Sequence, residues 1–155
     1  MIRRATKEDI PYLNKLLLQV HKVHHDVRPD LFRDGTKKYS DEELLEIINN
    51  DLTPIFVYDE AQKVLGYAFC IHKQEINNSN LTDIKTLYID DLCVDEAERG
   101  KHIGTKLYNY VCEYAKANDY YEVTLNVWAD NTKALKFYQS LDLKVQKIGM
   151  EKILK

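Results

Sequence analysis

The sequence predicts an α/β domain with a mixed central β-sheet flanked by helices on both faces, and three observations support that prediction. Segments with helical spacing of apolar residues alternate with segments of period two along the 155 residues. The strand-like run from Leu87 to Val94 passes through a charged loop and a glycine pair, Arg99-Gly100-Lys101-His102-Ile103-Gly104, into a helix. In that helix Ile103, Leu107, Val111 and Tyr114 recur on one face. No repeat, low-complexity tract or linker rich in proline, glycine or serine divides the chain, so residues 1–155 read as a single domain, long enough for one core.

In chain order, Ile2 to Ala5 is a short first strand, and Thr6 with Asp9 offers a capping start to a helix over about 7–24. Ile10, Leu13, Leu16, Leu17 and Val20 form the buried stripe of that helix. Arg28-Pro29-Asp30 ends it, because proline disfavours helix in the residue before it. Ser40 followed by Glu43 is a capping box for a second helix, with Leu44, Leu45, Ile47 and Ile48 facing inward. Ile55 to Tyr58 and Val64 to Lys73 make an antiparallel hairpin around Asp59, Glu60 and Ala61, and Asn77-Asn78-Ser79-Asn80 is a polar turn. A strand over 85–94, the helix from Ile103, a strand alternating Val123, Leu125 and Val127, and a helix over 131–141 follow. Leu143 to Leu154 is expected to close the chain as a strand or strand pair, so the order is β-α-α-β-β-β-α-β-α-β.

With 45% hydrophobic and 30% charged residues and a net charge of −3, the composition is that of an ordinary globular protein and suggests no basic face for nucleic acid. No apolar run approaches the roughly 18 residues that span a bilayer, and no charged-then-apolar leader opens the chain, so a cytoplasmic protein without a membrane partner is expected. Cys70, Cys93 and Cys112 are odd in number, widely spaced and set in apolar patterns, which reads as reduced core thiols; a nucleophilic Cys93 is the sharper alternative. His21 and His25 stand four apart on the first helix, a spacing that can bind metal, but no second ligand pair recurs.

Free amides at the start of the helix after Gly100, with glycine admitting close approach, form an anion site suited to a phosphate-bearing cofactor. Downstream, Asn131-Thr132-Lys133-Ala134-Leu135-Lys136-Phe137-Tyr138 closely resembles the N-x-x-A-x-x-F-Y segment of the GNAT N-acetyltransferase superfamily. The upstream loop resembles that superfamily's acetyl-CoA motif: Arg99 and Gly104 fit its ends, Gly100 follows the arginine, and His102 stands where the first motif glycine is expected. The likeness is dense over residues 85–145 and rests on element order elsewhere.

The resemblance implies that the strands at 85–94 and 122–128 splay and admit the pantetheine arm of acetyl-CoA, which pairs with the main chain at Leu92, Cys93 and Val94. Backbone amides from Arg99 through Gly100, Lys101, His102, Ile103 and Gly104 to Thr105 would take the pyrophosphate, with charge from Arg99 and Lys101. Asn131 either binds the cofactor arm or caps its helix. Tyr138 matches the tyrosine that protonates the departing sulfur, against a reading of Phe137 and Tyr138 as core aromatics.

Adjacent strand residues face opposite sides, so only one of Asp90 and Asp91 can face the cleft. Asp90, in phase with Leu92 and Val94 and at a position where family members carry glutamate, is the expected base, and Asp91 is assigned to acceptor binding. The resemblance implies an acceptor pocket along His24 to Phe32, with His24, Arg28 and Phe32 as candidate lining and no metal required; the alternative is a polar connector with Leu31 and Phe32 anchored in the core. The expected function is acetyl transfer from acetyl-CoA to a primary amine of a small molecule or protein, by a monomer or homodimer; the alternative is a non-catalytic acyl-CoA-binding module. The acidic balance leans toward a cationic acceptor.

Overall fold

Five strands join in one sheet in the order β1-β2-β3-β4-β5: β1 Ile2–Arg4, β2 Ile55–Glu60, β3 Lys63–Gln74, β4 Lys85–Val94 and β5 Glu122–Leu125. The structure is a computed structural model that describes residues 1–155. The first four strands pair antiparallel and β5 lies parallel to β4. A parallel pair needs a crossover, and the helix α3, Ile103–Ala117, supplies it. The β2–β3 turn is only Ala61-Gln62, both with left-handed backbone (φ 52° and 66°), the conformation that matches the twist of a two-residue hairpin.

Helices cover both faces. α1, Ile10–Val27, follows a 3-10 turn at Lys7–Asp9 and buries Leu13, Leu16 and Leu17; α2, Asp41–Ile48, buries Leu44. These side chains meet Ile55, Val57, Tyr67, Phe69 and Cys93 in the larger half of the core. On the opposite face α3 lays Val111 and Ala115 against Phe56, Ala68, Leu87 and Ile89. Burying each large aliphatic side chain in either half contributes about 1.5–3 kcal/mol.

Local signals in the sequence have local counterparts. Thr6 and Asp9 cap the start of the first helix, with the Thr6 amide donating to Asp9 at 2.8 Å, and Ser40 with Glu43 caps α2 reciprocally at 3.2 and 3.0 Å. Four expectations need correction. α1 continues to Val27 rather than stopping near 24, since Pro29 restricts only Arg28, where the helix ends. Leu45 is exposed, because α2 has little more than two turns and turns only Leu44 fully into the core. β5 stops at Leu125, short of the expected 128. The chain after α4, Thr132–Ser140, forms no strand: residues 143–155 belong to no element, and an extended segment becomes a strand only where an edge pairs with it.

Candidate functional site

β4 keeps its pairing with β3 out to Gly66 opposite Val94, while its pairing with β5 ends at Ile89 opposite Leu125. Beyond that point the two parallel strands have parted, and peptide groups of β4 at Leu92, Cys93 and Val94 lose their ladder partners on the β5 side. Free main-chain groups inside a fold require a partner. The strand separation therefore leaves a slot suited to an amide-bearing chain.

The parting begins at a β-bulge. Phe69 pairs with Asp91 and Cys70 with Ile89, so Asp90 is the extra residue. This overturns the expectation that only one of the two acids can face the cleft, because a bulge resets the alternation that expectation assumed. Both carboxylates lie on the face that carries Phe69. Asp90 accepts the Tyr39 hydroxyl at 2.8 Å and the Lys38 ammonium at 2.8 and 3.0 Å, and Asp91 accepts the Tyr67 hydroxyl at 2.6 Å. Tyr39 and Tyr67 both pack on Phe69, with ring centroids 5.7 and 4.7 Å away.

The two acids differ chemically. Asp90 is already engaged by a lysine. Burial pushes the Asp91 carboxyl up to about 6, with the Asp90 charge adding to the rise and the Tyr67 and Leu92 hydrogen bonds and Lys38 opposing it. Tyr138, on α4, is raised well above the usual phenol range by burial and then by Asp91 and Cys93, which puts its ring within electrostatic reach of the bulge. No group in the chain shifts Tyr138 through a hydrogen bond, so its hydroxyl is uncommitted. Burial pushes the Cys93 thiol up to about 12, and its Sγ donates to the Leu16 carbonyl at 3.6 Å, so it behaves as a core thiol rather than a nucleophile.

The loop from Arg99 to Thr105 meets the same slot. Gly100 (φ 84°) and His102 (φ 62°) both adopt left-handed backbone, so His102 takes the conformation for which glycine is the default. No side chain caps α3 at His102, leaving the first-turn amides of Ile103, Gly104 and Thr105 free to hold an anion. A Cβ on Gly104 would stand 3.3 Å from Phe137 Cζ and 3.6 Å from Val94 Cγ2, so glycine here lets the helix start approach β4 and α4 closely. The charge of Lys101 is partly offset by its ion pair with Glu98. Asn131 accepts the Ala134 amide at 3.2 Å, which commits its side-chain oxygen to capping α4.

At the bend after α1, His24 stacks on Phe32 at 5.2 Å, Phe32 meets Trp128 edge-on at 6.0 Å, and Arg28 lies over Trp128 at 5.3 Å. The three proposed lining residues and the chain just past β5 therefore form one aromatic wall. Burial, then His21 and Lys38, lowers the His24 pKa, favouring the neutral ring, and its Nδ1 has no partner. His21 and His25 bond the carbonyls of Arg33 and Phe32, so they fasten the loop to the helix, and no group of three metal-ligating side chains gathers.

Sequence reasoning missed Lys38, Tyr39, Tyr67 and Trp128. Tyr67 shares strand phase with Phe69, a signal that could have placed it on the face of the acids. Nothing in the pattern around Lys38 and Tyr39 marks them. A cavity of about 290 Å³ opens beside Asp90, lined by Tyr39, Glu43, Glu46 and Phe69 among others.

Comparison with known proteins adds the following. The family model described as the acetyltransferase (GNAT) family matches residues 20–142. An uncharacterized N-acetyltransferase of Methanocaldococcus jannaschii is 27% identical over 148 residues; the match takes in 95% of this chain but only 62% of that protein's length. A crystal structure of a mutant BH1408 protein from Bacillus halodurans is 32% identical, with a TM-score of 0.94 over 100% of this chain and 99% of that one. The glucosamine-6-phosphate N-acetyltransferase of Arabidopsis thaliana shares the fold at 23% identity and a TM-score of 0.72, covering 100% of this chain and 98% of that one. So does an aminoglycoside acetyltransferase from an uncultured soil metagenomic sample, in complex with sisomicin, at 20% identity and a TM-score of 0.73, covering 100% and 96%.

Proposed function

The chain belongs to the GNAT acetyltransferase family, and on that premise we propose that it transfers the acetyl group of acetyl-CoA directly to a primary amine. The observation that carries the reading is the parting of β4 from β5 at the Asp90 bulge, with Asp91 and Tyr138 in electrostatic reach of each other beside it. Acetyl-CoA supplies a thioester carbonyl and a sulfur leaving group. Main-chain groups at Leu92, Cys93 and Val94 hold its amide-bearing arm, and the uncapped amides of Ile103, Gly104 and Thr105 hold its pyrophosphate, with Arg99 beside them.

The roles expected for the acids are exchanged in this proposal. Asp91, at about 6, receives the proton of the incoming ammonium, being a stronger base than an ordinary carboxylate. Asp90 holds the amine as an anion, a place now taken by the Lys38 ammonium. The Tyr138 hydroxyl donates to the leaving sulfur. His24, Phe32 and Trp128 with Arg28 form the acceptor wall, and the acidic cavity at Asp90, Glu43 and Glu46 favours a cationic acceptor, either a small molecule or a protein amine.

A panel of primary amines incubated with acetyl-CoA, read by free thiol release, tests the reading. Acetylation of at least one amine is expected. Thermal stabilisation by coenzyme A without turnover of any amine would replace it with the acyl-CoA-binding module.

A further inference from the structure

One lysine of the chain already stands where acetyl transfer needs an amine. Lys38 lies in the segment between α1 and α2, and its ammonium reaches β4, where it donates to the Asp90 carboxylate at 2.8 and 3.0 Å. The residues around it fix its direction. Tyr39 stacks on Phe69 at 5.7 Å with the two rings 3° from parallel, and its hydroxyl donates to the same carboxylate at 2.8 Å. Lys37 donates to the Tyr39 carbonyl at 2.6 Å and Ser40 caps α2 directly afterwards, so the chain is fastened on both sides of the tyrosine.

This is not an ordinary surface ion pair, in which water screens both charges and little is gained. The Asp90 side chain is 12% exposed, and Asp90 is the extra residue of the bulge at which β4 leaves β5. The Lys38 charge also acts on Asp91 and on His24 of the aromatic wall, which sets the ammonium between the acids and that wall. The cavity of about 290 Å³ bordered by Tyr39, Phe69 and Asp90 leaves room beside it. A lysine side chain is itself a primary amine, the chemical class of the acceptor.

We propose that Lys38 is a modification site of this chain: when no other acceptor is present, the protein acetylates its own Lys38 Nζ from bound acetyl-CoA. This step rests on the acetyl transfer proposed above and adds an acceptor that the chain supplies itself. One proton of the Lys38 ammonium passes to the Asp91 carboxylate. Nζ then bonds to the thioester carbonyl carbon and the carbon–sulfur bond breaks. The departing sulfur takes the Tyr138 proton, and the second proton shed by the nitrogen restores the phenol. The products are an acetylated Lys38 and free coenzyme A, and Asp90 is left without its cation. Because Lys38 is tethered beside the slot, the step is intramolecular and gains the advantage of a fixed approach.

Incubating the full chain with acetyl-CoA that carries a deuterated acetyl group, with no amine added, and mapping the label by peptide mass spectrometry tests this. The expected result is a single labelled position, Lys38, acetylated at least about tenfold faster than the adjacent Lys37 or the exposed Lys101 and Lys116, with a rate constant independent of protein concentration. Lys38→Arg, which keeps a cation on Asp90, should lose that label, and Tyr138→Phe should slow it by about a hundredfold. Label spread evenly over the exposed lysines, a rate constant that rises with protein concentration, or undiminished labelling in Tyr138→Phe would each overturn the proposal. Lys38 left unlabelled while an amine of the panel is acetylated would overturn self-acetylation alone; no acetyl group on either Lys38 or any amine would overturn the transferase reading with it. Should Lys38→Arg fail to fold, the map of the unmodified chain decides.

Discussion

Replacing Tyr138 by phenylalanine removes one hydroxyl from the proposed centre and little else. No group in the chain hydrogen-bonds to that hydroxyl, so its loss strands no buried partner, and the stability change should stay within about 0.5 kcal/mol. Affinity for acetyl-CoA should be equally untouched, because the bond to sulfur matters only as charge develops on it. Catalysis should suffer. A positioned general acid is worth about a hundredfold or more, and at about 1.4 kcal/mol per factor of ten that is about 2.7 kcal/mol or more on the barrier. Burial and Asp91 hold the phenol protonated far beyond neutrality, so the defect in kcat should be the same across the neutral and mildly alkaline range. The assay is thiol release with an acceptor from the amine panel, alongside calorimetric titration of acetyl-CoA and thermal denaturation. A kcat equal to that of the natural protein would remove Tyr138 from the reaction and return it to the core; a loss of affinity parallel to the loss of rate would make it a binding residue.

Asp91 should set the acidic limb of the pH profile. Burial raises its pKa to about 6, and only the ionised form accepts a proton, so kcat/KM should fall as pH drops through about 6; Asp91→Asn should abolish that limb and lose part of its defect in alkaline buffer, where more neutral amine is present. A limb in the ordinary carboxylate range, or the same limb in the variant, would remove Asp91 as the base. Gly104→Asp places a side chain against Phe137 and a negative charge at the start of α3, and calorimetry should show coenzyme A binding weakened more than about tenfold, about 1.4 kcal/mol. Unchanged affinity in a folded variant would displace the pyrophosphate site. His102→Gly should stabilise the protein by about 0.5–1 kcal/mol in urea unfolding, since a left-handed histidine costs about 1–2 kcal/mol and the freer unfolded chain of glycine returns part of that. Destabilisation would contradict the left-handed backbone at 102.

What the sequence determined by itself is what short-range physics sets. The Ser40–Glu43 box, the stop at Pro29, the stripe of α1 and the limits of β4 depend on residues within a few positions of one another, and each lies in the structure where the residues put it, to within three residues. The Asn131 to Tyr138 segment and the Arg99 to Gly104 loop were legible for a related reason, being contiguous strings. The register of pairing was not legible. Ile89-Asp90-Asp91-Leu92 reads as plain strand, and the bulge that turns both acids to one face arises from the register against Phe69 and Cys70, some twenty residues away. The same bend ends β5 at Leu125 although the apolar alternation continues to Val127. His102 carries no glycine signal, yet loop closure forces it left-handed. Leu143 to Leu154 shows why the remainder escapes a sequence reading: its residues are apolar enough for a strand, but a strand also needs an edge to pair with, and only the tertiary structure decides whether the chain itself provides one.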